Sequence, residues 1–577
     1  FNLYRSTNGG TPMLLNGTPL TGSTNFVDTS APPTQSNRYF VRAVVNGMEQ
    51  ADSASFTMPA NAPVRQYLEI PLQVPAGGSV NGSNFTYSPG DVSVGDLDAD
   101  GEYEYVVKWD PSNQQDNAND GFTGPVLLDA YELNGTRLWR INLGRNIRAG
   151  AHYTQFSVYD LDGDGDAEVA CKTADATVSG TGQVIGNANA DFRTTTGRLG
   201  RILSGPEFLT VFNGRDGSIL ANVSYQPARG DINQWGDNYG NRGDRFLSGV
   251  AYLDGQRPSL ILGRGVYERT KVAAWDYRNG SLTMRWMFDS NGNANWEGRG
   301  AHSLSIADVD NNGTQEIIYG AMTLNTNGTV RHTTNYYGHG DALHAGDLVP
   351  SPAGLEIWMI HEQNTGNAAS LRDANTGAFI MTKQNTTGQE GPGRGVAGDV
   401  FSGNAGAEFW GSGPGMTNLF SSSGGNVGRT PGSANFMAWW DADPVRELLD
   451  QNHVDKYGTG GDTRLLTADG ASSINGTKAT PNLSGDIFGD WREEVILRAS
   501  NNAALRIYTT TNVANTRIYT LLHDPQYRVA IAWQNTAYNQ PPHPGFFIGA
   551  NTPAPPTPNI VLVGGTNPPD PVSHVHQ

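Results

Sequence analysis

The sequence predicts an all-β protein: an eight-bladed β-propeller preceded by a partial fibronectin type III-like β-sandwich segment. Two observations predict it. One unit recurs along the 577 residues, and 72 glycines and 32 prolines are scattered between short apolar runs instead of massed in tracts. Dispersed turn residues suit many short strands joined tightly and argue against disorder. The length leaves room for one large β body and an appendage. No run approaches the ~20 apolar residues that a membrane-spanning helix needs.

The recurring unit is a Gly-rich lead-in, an apolar residue, an Asp, an acidic or glycine turn, then an apolar strand. It reads VGDLDADGEYEYVVKW from Val94, VYDLDGDGDAEVACKT from Val158 and IADVDNNGTQEIIYGA from Ile306. Further copies are HAGDLVPSPAGLEIWMI from His344, VAGDVFSGNAGAEFWG from Val396 and LSGDIFGDWREEVILRA from Leu483, with GVAYLDGQRPSLILGR from Gly249 a decayed seventh. Most units are followed by a second hairpin, such as LLDAYELNGTRLWRINL or FLTVFNGRDGSILANVS, whose Asn-Gly or Asp-Gly sits between alternating apolar residues. Two hairpins make four antiparallel strands, which is one propeller blade. Seven units, plus a closing blade built from Arg528–Trp533 and Val64–Pro75, give eight blades over residues 64–550. Residues 1–60 hold FNLYRSTNGG and NRYFVRAVVNGMEQ, read as the last strands of a sandwich whose opening strands lie upstream. Residues 551–577 read as a Pro-rich tail or linker.

The single cysteine, Cys171, lies in a strand pattern and reads as a buried structural thiol. A net charge of −18 disfavours nucleic acid and anionic membranes as partners. It would also repel a polyanionic sugar unless cations and a local basic patch intervene.

Three of the acidic turns share one spacing. Asp96, Asp98, Asp100, Glu102 and Glu104 occupy relative positions one, three, five, seven and nine. Asp160, Asp162, Asp164, Asp166 and Glu168 do the same, as do Asp308, Asp310, Asn312, Thr314 and Glu316. Oxygen ligands at alternate positions around a glycine wrap one hard cation, and Ca²⁺ accepts ~6–8 of them. Position twelve after Asp96 is Val107, so this is not an EF-hand; calcium-binding turns between strands are expected, as staples in a chain without disulfides. The spans Asp486–Glu494 and Asp399–Glu408 are degenerate versions.

Just upstream of the repeat Asp residues, basic or imidazole side chains stand among glycines. These are Arg148 with His152, Arg299 with His302, His339 with Asp341 and His344, Arg394, and Lys478. In a propeller these loops ring one mouth of the central funnel, so separate units would converge cations, histidines and carboxylates there, Asp91 among them. Trp109, Tyr153, Trp235, Tyr267 and Trp296 are candidates for stacking on sugar faces, several of them also candidates for the core.

The stretches GDLDADGEYEYVVKWDPSNQQDNANDGFTG, AGAHYTQFSVYDLDGDGDAEVACKTADAT, GRGAHSLSIADVDNNGTQEIIYGA, GHGDALHAGDL and INGTKATPNLSGDIFGDWREEV together resemble a rhamnogalacturonan lyase of polysaccharide lyase family eleven, over about residues 1–565. The resemblance implies a secreted, calcium-rich propeller acting on the anionic rhamnogalacturonan I backbone of plant cell walls. It implies substrate contacts at Asp110, Asn475, Gly476, Thr477 and Lys478, and an active-centre calcium at Asp91, His302, His339 and Asp341. Arg148 and Arg394 would add positive charge for substrate. Gly90 departs from the Asn common at that position in the family. Exo-acting members of that family carry an aromatic-rich loop that blocks one end of the cleft, and none stands between Asp347 and Asp399, so the resemblance implies endo cleavage. Nothing in the sequence calls for a partner subunit, and a monomer is expected.

β-Elimination takes the proton from carbon five of galacturonate and expels the oxygen on carbon four. The carboxylate must be neutralised, and a base must lie within hydrogen-bond reach. Lys478 is the first candidate base, since neighbouring cations favour a neutral amine; His339 is the second. The alternatives are a non-catalytic calcium-dependent propeller that binds glycans or proteins, and a glycoside hydrolase using Asp91 and Asp110 as its pair of carboxyls.

Overall fold

The repeat period is realised as a series of antiparallel sheets in the computed structural model, which describes residues 1–334, 338–351, 353–550 and 555–558. Between residues 67 and 508 the strands form eight sheets of four or five strands. Their first strands are Tyr87–Gly95, Phe156–Tyr159, Phe246–Ala251, Ser305–Ala307, Leu343–Gly346, Arg394–Gly398, Phe436–Ala438 and Leu483–Gly485. Each pairs with the strand that follows the repeat turn, as Ser305–Ala307 does with Glu316–Tyr319. First strands of neighbouring sheets touch in chain order through Phe436–Ala438, and Leu483–Gly485 returns to contact Tyr87–Gly95. The strands near the axis are buried on both faces, whereas Ile219–Ser224 alternates between half-buried and exposed, as an outer strand with one wet face does.

Two expectations need correction. The sheet Phe436–Ala438, Glu447–Asp450, His453–Lys456 and Thr463–Thr467 was not among the seven units read from the sequence. Arg528–Trp533 is not a closing strand but lies in the helix Pro525–Trp533, which contacts the first strands of five sheets. The other segment of that expected blade, Val64–Pro75, does contain a strand, and Tyr67–Pro71 pairs with Ala504–Tyr508. It thereby completes the sheet of the sixth copy and makes no sheet of its own. The chain after the helix is bonded into the same interior. Asn535 Nδ2 donates to Phe156 O (2.8 Å), Thr536 Oγ1 to Ser248 O (2.6 Å) and Gln540 Nε2 to Asp341 O (3.1 Å).

Residues 1–60 form one five-stranded sheet from Asn2–Thr7, Met13–Leu14, Asn37–Val45, Met48–Asp52 and Phe56–Met58; they form no second sheet to face it. Cys171 is buried, and burial pushes its thiol up to about 12, so it is inert packing. Of the tail, residues 551–554 and 559–577 lie outside the described residues. No described helix is long and apolar enough to cross a membrane.

Candidate functional site

Each first strand has a leading end, where the basic and imidazole residues lie, and a trailing end, where the acidic turn begins. The two ends do different things.

At the trailing ends, three turns repeat one geometry. Their first Asp caps the turn: Asp160 accepts from Gly163 N (2.7 Å) and Gly165 N (3.1 Å), Asp96 from Asp100 N and Gly101 N, and Asp308 from Asn312 N and Gly313 N. The last Glu closes it, with Oε2 of Glu104, Glu168 and Glu316 accepting from Leu97 N, Leu161 N and Val309 N. In each turn Oδ1 of the second Asp (Asp98, Asp162 or Asp310) is buried without a hydrogen-bond partner. Oxygens of Asp96, Asp98 and Glu104 gather within 4.8 Å of one another, as do those of Asp160, Asp162 and Glu168 and those of Asp308, Asp310 and Glu316. Burial, with help from neighbouring carboxylates, pushes Glu104 and Glu316 up to about 7 and Glu168 to about 8. Three converging oxygens with one left orphaned fit a cation.

The wider ligand sets contract. Asp100, Asp164 and Asn312 turn Oδ1 back onto the backbone N–H of Glu102, Asp166 and Thr314 and stand outside those close groups. Asp166 is engaged by Arg215 (2.5 and 2.7 Å), and Thr314 Oγ1 donates to Asn312 Oδ1 (2.5 Å). Asp486, in the degenerate unit, has its carboxylate filled by Trp491 N, Leu521 N and Thr520 Oγ1. A fourth close group, Asp441, Asp443 and Glu447, was missed.

At the leading ends, loops from distant parts of the chain converge. Lys478 Nζ sits 2.7 Å from Asp341 Oδ2 and 4.3 Å from the centre of the Tyr538 ring. His339 Nε2 is 3.1 Å from Glu362 Oε2. Tyr267 OH lies 2.9 Å from His302 Nε2, which is 3.8 Å from Asp341 Oδ1. The rings of His152 and His302 are 4.7 Å apart and those of Tyr267 and His339 4.4 Å. Burial, then nearby positive groups, drives His152 and His302 well below the usual imidazole range, so both rings are neutral. Burial also pushes the Tyr267 phenol up to about 12. The carboxyl of Asp341 is raised by burial and by Glu362, against the pull of Lys478.

Asp91 and Asp110 are bound to this region through a residue that sequence reasoning missed. The pairing of Tyr87–Gly95 with Glu104–Pro111 slips between Val107 and Trp109, so Gly90 and Asp91 together oppose Lys108. Buried Lys108 is in ion-pair contact with Asp91 Oδ2 and lies 3.9 Å from Asp110 Oδ1. Burial raises Asp110 to about 6, with Lys108 opposing and Asp91 adding to the rise. A Cβ at residue 90 would overlap Asp110 Oδ2, so glycine is what lets that carboxylate lie over the strand.

Several expectations change here. Asp91, His302, His339 and Asp341 do not meet at one point: the close metal-ligating groups among the described residues are the four acidic turns. Lys108, Tyr267, Glu362 and Lys478 instead engage them one by one. Arg148 and Arg394 turn inward. Arg148 donates to Asn119 O and Tyr153 OH, and Arg394 to Asp341 O (3.0 Å), Asn435 O (2.5 Å) and Asn539 O (3.3 Å). Arg394 thus props the backbone of Asp341. His344 is spent on Gly395 O and His543. Trp109, Trp235 and Tyr153 are core, while Tyr267 is half-buried at the site. Asn475 (φ 59°) and Ala479 (φ 47°) flank a 3₁₀ turn, Gly476–Lys478, that leaves Gly476 and Thr477 exposed. Two backbones in the left-handed region for non-glycine residues are strain of the sort found where a loop is held for a purpose. Asn475 Nδ2 bonds Thr480 Oγ1 and Asn539 Oδ1. Glu362 could have been found as the acidic residue of HEQN, just after the strand Glu356–Ile360; Tyr538 carries no motif.

The cavity of about 910 Å³ lies at the other end, lined by residues such as Asp96, Asp160, Asp308 and Arg528, and none of the Lys478 cluster borders it. Concentrated titratable groups, not volume, make the leading-end cluster the candidate site.

Residues 67–558 match the family model described as rhamnogalacturonan lyase family 11, C-terminal domain. The chain is 52% identical over 567 residues to the rhamnogalacturonan endolyase YesW of Bacillus subtilis (strain 168), covering 97% of this chain and 88% of that one. It is 51% identical over 569 residues to the rhamnogalacturonan exolyase YesX of the same organism, covering 95% and 90%. A solved rhamnogalacturonan lyase PL11 of Bacillus licheniformis superposes with a TM-score of 0.90 at 52% identity, covering 97% of this chain and 94% of that one.

Proposed function

The chain belongs to rhamnogalacturonan lyase family 11, and on that premise we propose that it cleaves the rhamnose–galacturonate backbone of pectin by β-elimination, in endo fashion. The observation that carries this reading is the Lys478–Asp341 pair set among His302, His339, Tyr267 and Tyr538. The substrate carboxylate is gripped by the exposed backbone of Gly476 and Thr477. Asp341 positions Lys478, whose amine removes the proton on carbon five. The electron pair forms the carbon four–carbon five double bond, the glycosidic bond breaks, and the departing oxygen is protonated from the phenol-rich wall. Asp110 holds the neighbouring sugar, with buried Lys108 beneath it. A glycoside hydrolase would need two opposed carboxyls, whereas Asp91 and Asp110 flank one ammonium.

Calcium, in this reading, fills the three matched turns, held by Asp96, Asp98 and Glu104 and their counterparts, and supplies charge that pins each turn between its two strands. The eight sheets are the blades of a propeller, residues 1–60 a fibronectin type III-like appendage, and the protein a secreted monomer, since its polymer lies outside cells.

The test is Lys478→Ala, which lowers turnover by about 10²-fold or more with folding unchanged. Lys478→Arg keeps the charge but not a titratable amine. Near-normal turnover in that variant would make Lys478 a clamp. The His339–Glu362 contact then favours the second reading, in which His339 is the base and Glu362 orients it.

A further inference from the structure

The fourth acidic turn differs from its three sisters in what it contains. Lys456 ends the strand His453–Lys456, which pairs with Glu447–Asp450. Its Nζ lies 2.9 Å from Asp441 Oδ2, 2.8 Å from Asp443 Oδ2 and 2.7 Å from Glu447 Oε1. An ammonium has three protons, and three carboxylate oxygens meet it. The remaining oxygens are also engaged: Asp441 Oδ1 accepts from Asp443 N, Asp443 Oδ1 from Val445 N, and Glu447 Oε2 from Trp440 N and Asp441 N. No carboxylate oxygen of this group is buried and unpartnered, whereas Asp98, Asp162 and Asp310 each keep one. The nearest analogue in a sister turn, Arg331, reaches Asp310 Oδ2 (2.8 Å) and still leaves Oδ1 alone.

We infer that the turn Asp441–Glu447 is a cation site closed by the chain's own Lys456, which staples that sheet and excludes divalent ions. The comparison rests on the calcium reading of the sister turns. Replacing the ammonium by a shorter, neutral amide exposes a three-carboxylate site of the kind that takes calcium. The same removal leaves uncompensated negative charge beside the buried Glu447.

The experiment compares metal-stripped wild type and Lys456→Gln by calcium titration calorimetry and thermal unfolding, with Lys456→Gln/Asp443→Asn as control. The expected result is one more calcium bound per chain in Lys456→Gln than in wild type, and none extra in the double variant. The stripped Lys456→Gln protein melts several degrees lower and recovers with calcium. Purification in calcium keeps the variant folded if it fails without it. Equal ion counts in wild type and Lys456→Gln overturn the inference, as does a stripped variant that melts with wild type. A wild type that binds no calcium at all sinks the calcium reading of the sister turns. A one-ion gain in Lys456→Gln would support the inference even then.

Discussion

Stripping the metal should make stability depend on pH in a way that calcium abolishes, and Glu168 sets the size of the effect. In the metal-free protein its carboxyl is displaced from an ordinary 4.5 to about 8, chiefly by burial and then by Asp162, Asp160 and Asp164, against the pull of the Leu161 amide. Below about pH 4.5 the folded and unfolded chains both carry the proton, and above about 8 neither does. Between those limits only the folded chain holds it. Raising the pH through that window therefore destabilises the metal-free fold. At ~1.36 kcal/mol per pH unit the ceiling is about 5 kcal/mol for this one residue. Relaxation of the mutually repelling Asp160, Asp162 and Asp164 brings the expectation to about 2–3 kcal/mol. Glu104 and Glu316, each raised to about 7, add in the same direction. Calcium holds the carboxylates ionised and stabilises the fold by mass action, more strongly as the pH rises and the proton ceases to compete. The assay is denaturant unfolding of metal-stripped protein from pH 5 to 8, with and without millimolar calcium. Stripped protein should weaken steadily across the range, and calcium-loaded protein should not. Parallel profiles for the two would refute the reasoning, because they would mean that no ion shares these carboxylates.

Other consequences follow from the leading-end cluster. Gly90→Ala puts a methyl group where Asp110 Oδ2 now lies, so Asp110 must swing away; KM should rise several-fold with the melting temperature little changed, and unchanged kinetics would remove Asp110 from the substrate contacts. The stretch Met381–Gly393 carries no aromatic residue to block one end of a cleft. Viscosity of rhamnogalacturonan should therefore fall well before unsaturated ends accumulate, and disaccharide as the sole early product would assign exo cleavage instead.

What was legible in the sequence is what is local. An acidic turn places its first and last ligands within nine residues, so Asp96 to Glu104 can be read from spacing alone. The same holds for His302, His339 and Lys478, which stand six to eight residues before a repeat Asp. The turn DADPVRE escaped because it has no glycine and its Glu comes two positions early, while the cation that completes it arrives from another strand. The helix Pro525–Trp533 was read as a strand because seven of its nine residues are buried, which erases the 3.6-residue stripe. Its real signal was Asp524 followed by Pro525: Asp524 caps the helix through Tyr527 N (2.8 Å) and Pro525 opens it. Arg148 and Arg394 show the opposite error, since their register was right and their direction was not. A guanidinium offers five donors, and several backbone carbonyls converge behind these loops, so each arginine turns inward to satisfy them. That leaves Lys478, with one compact charge, facing Asp341 at the mouth. Lys108 depends on a slipped strand register, and Tyr538 on a segment threaded through the interior after the last sheet. Neither can be inferred from neighbours in sequence, because what brings them to the site is the packing of the whole set of sheets around the helix.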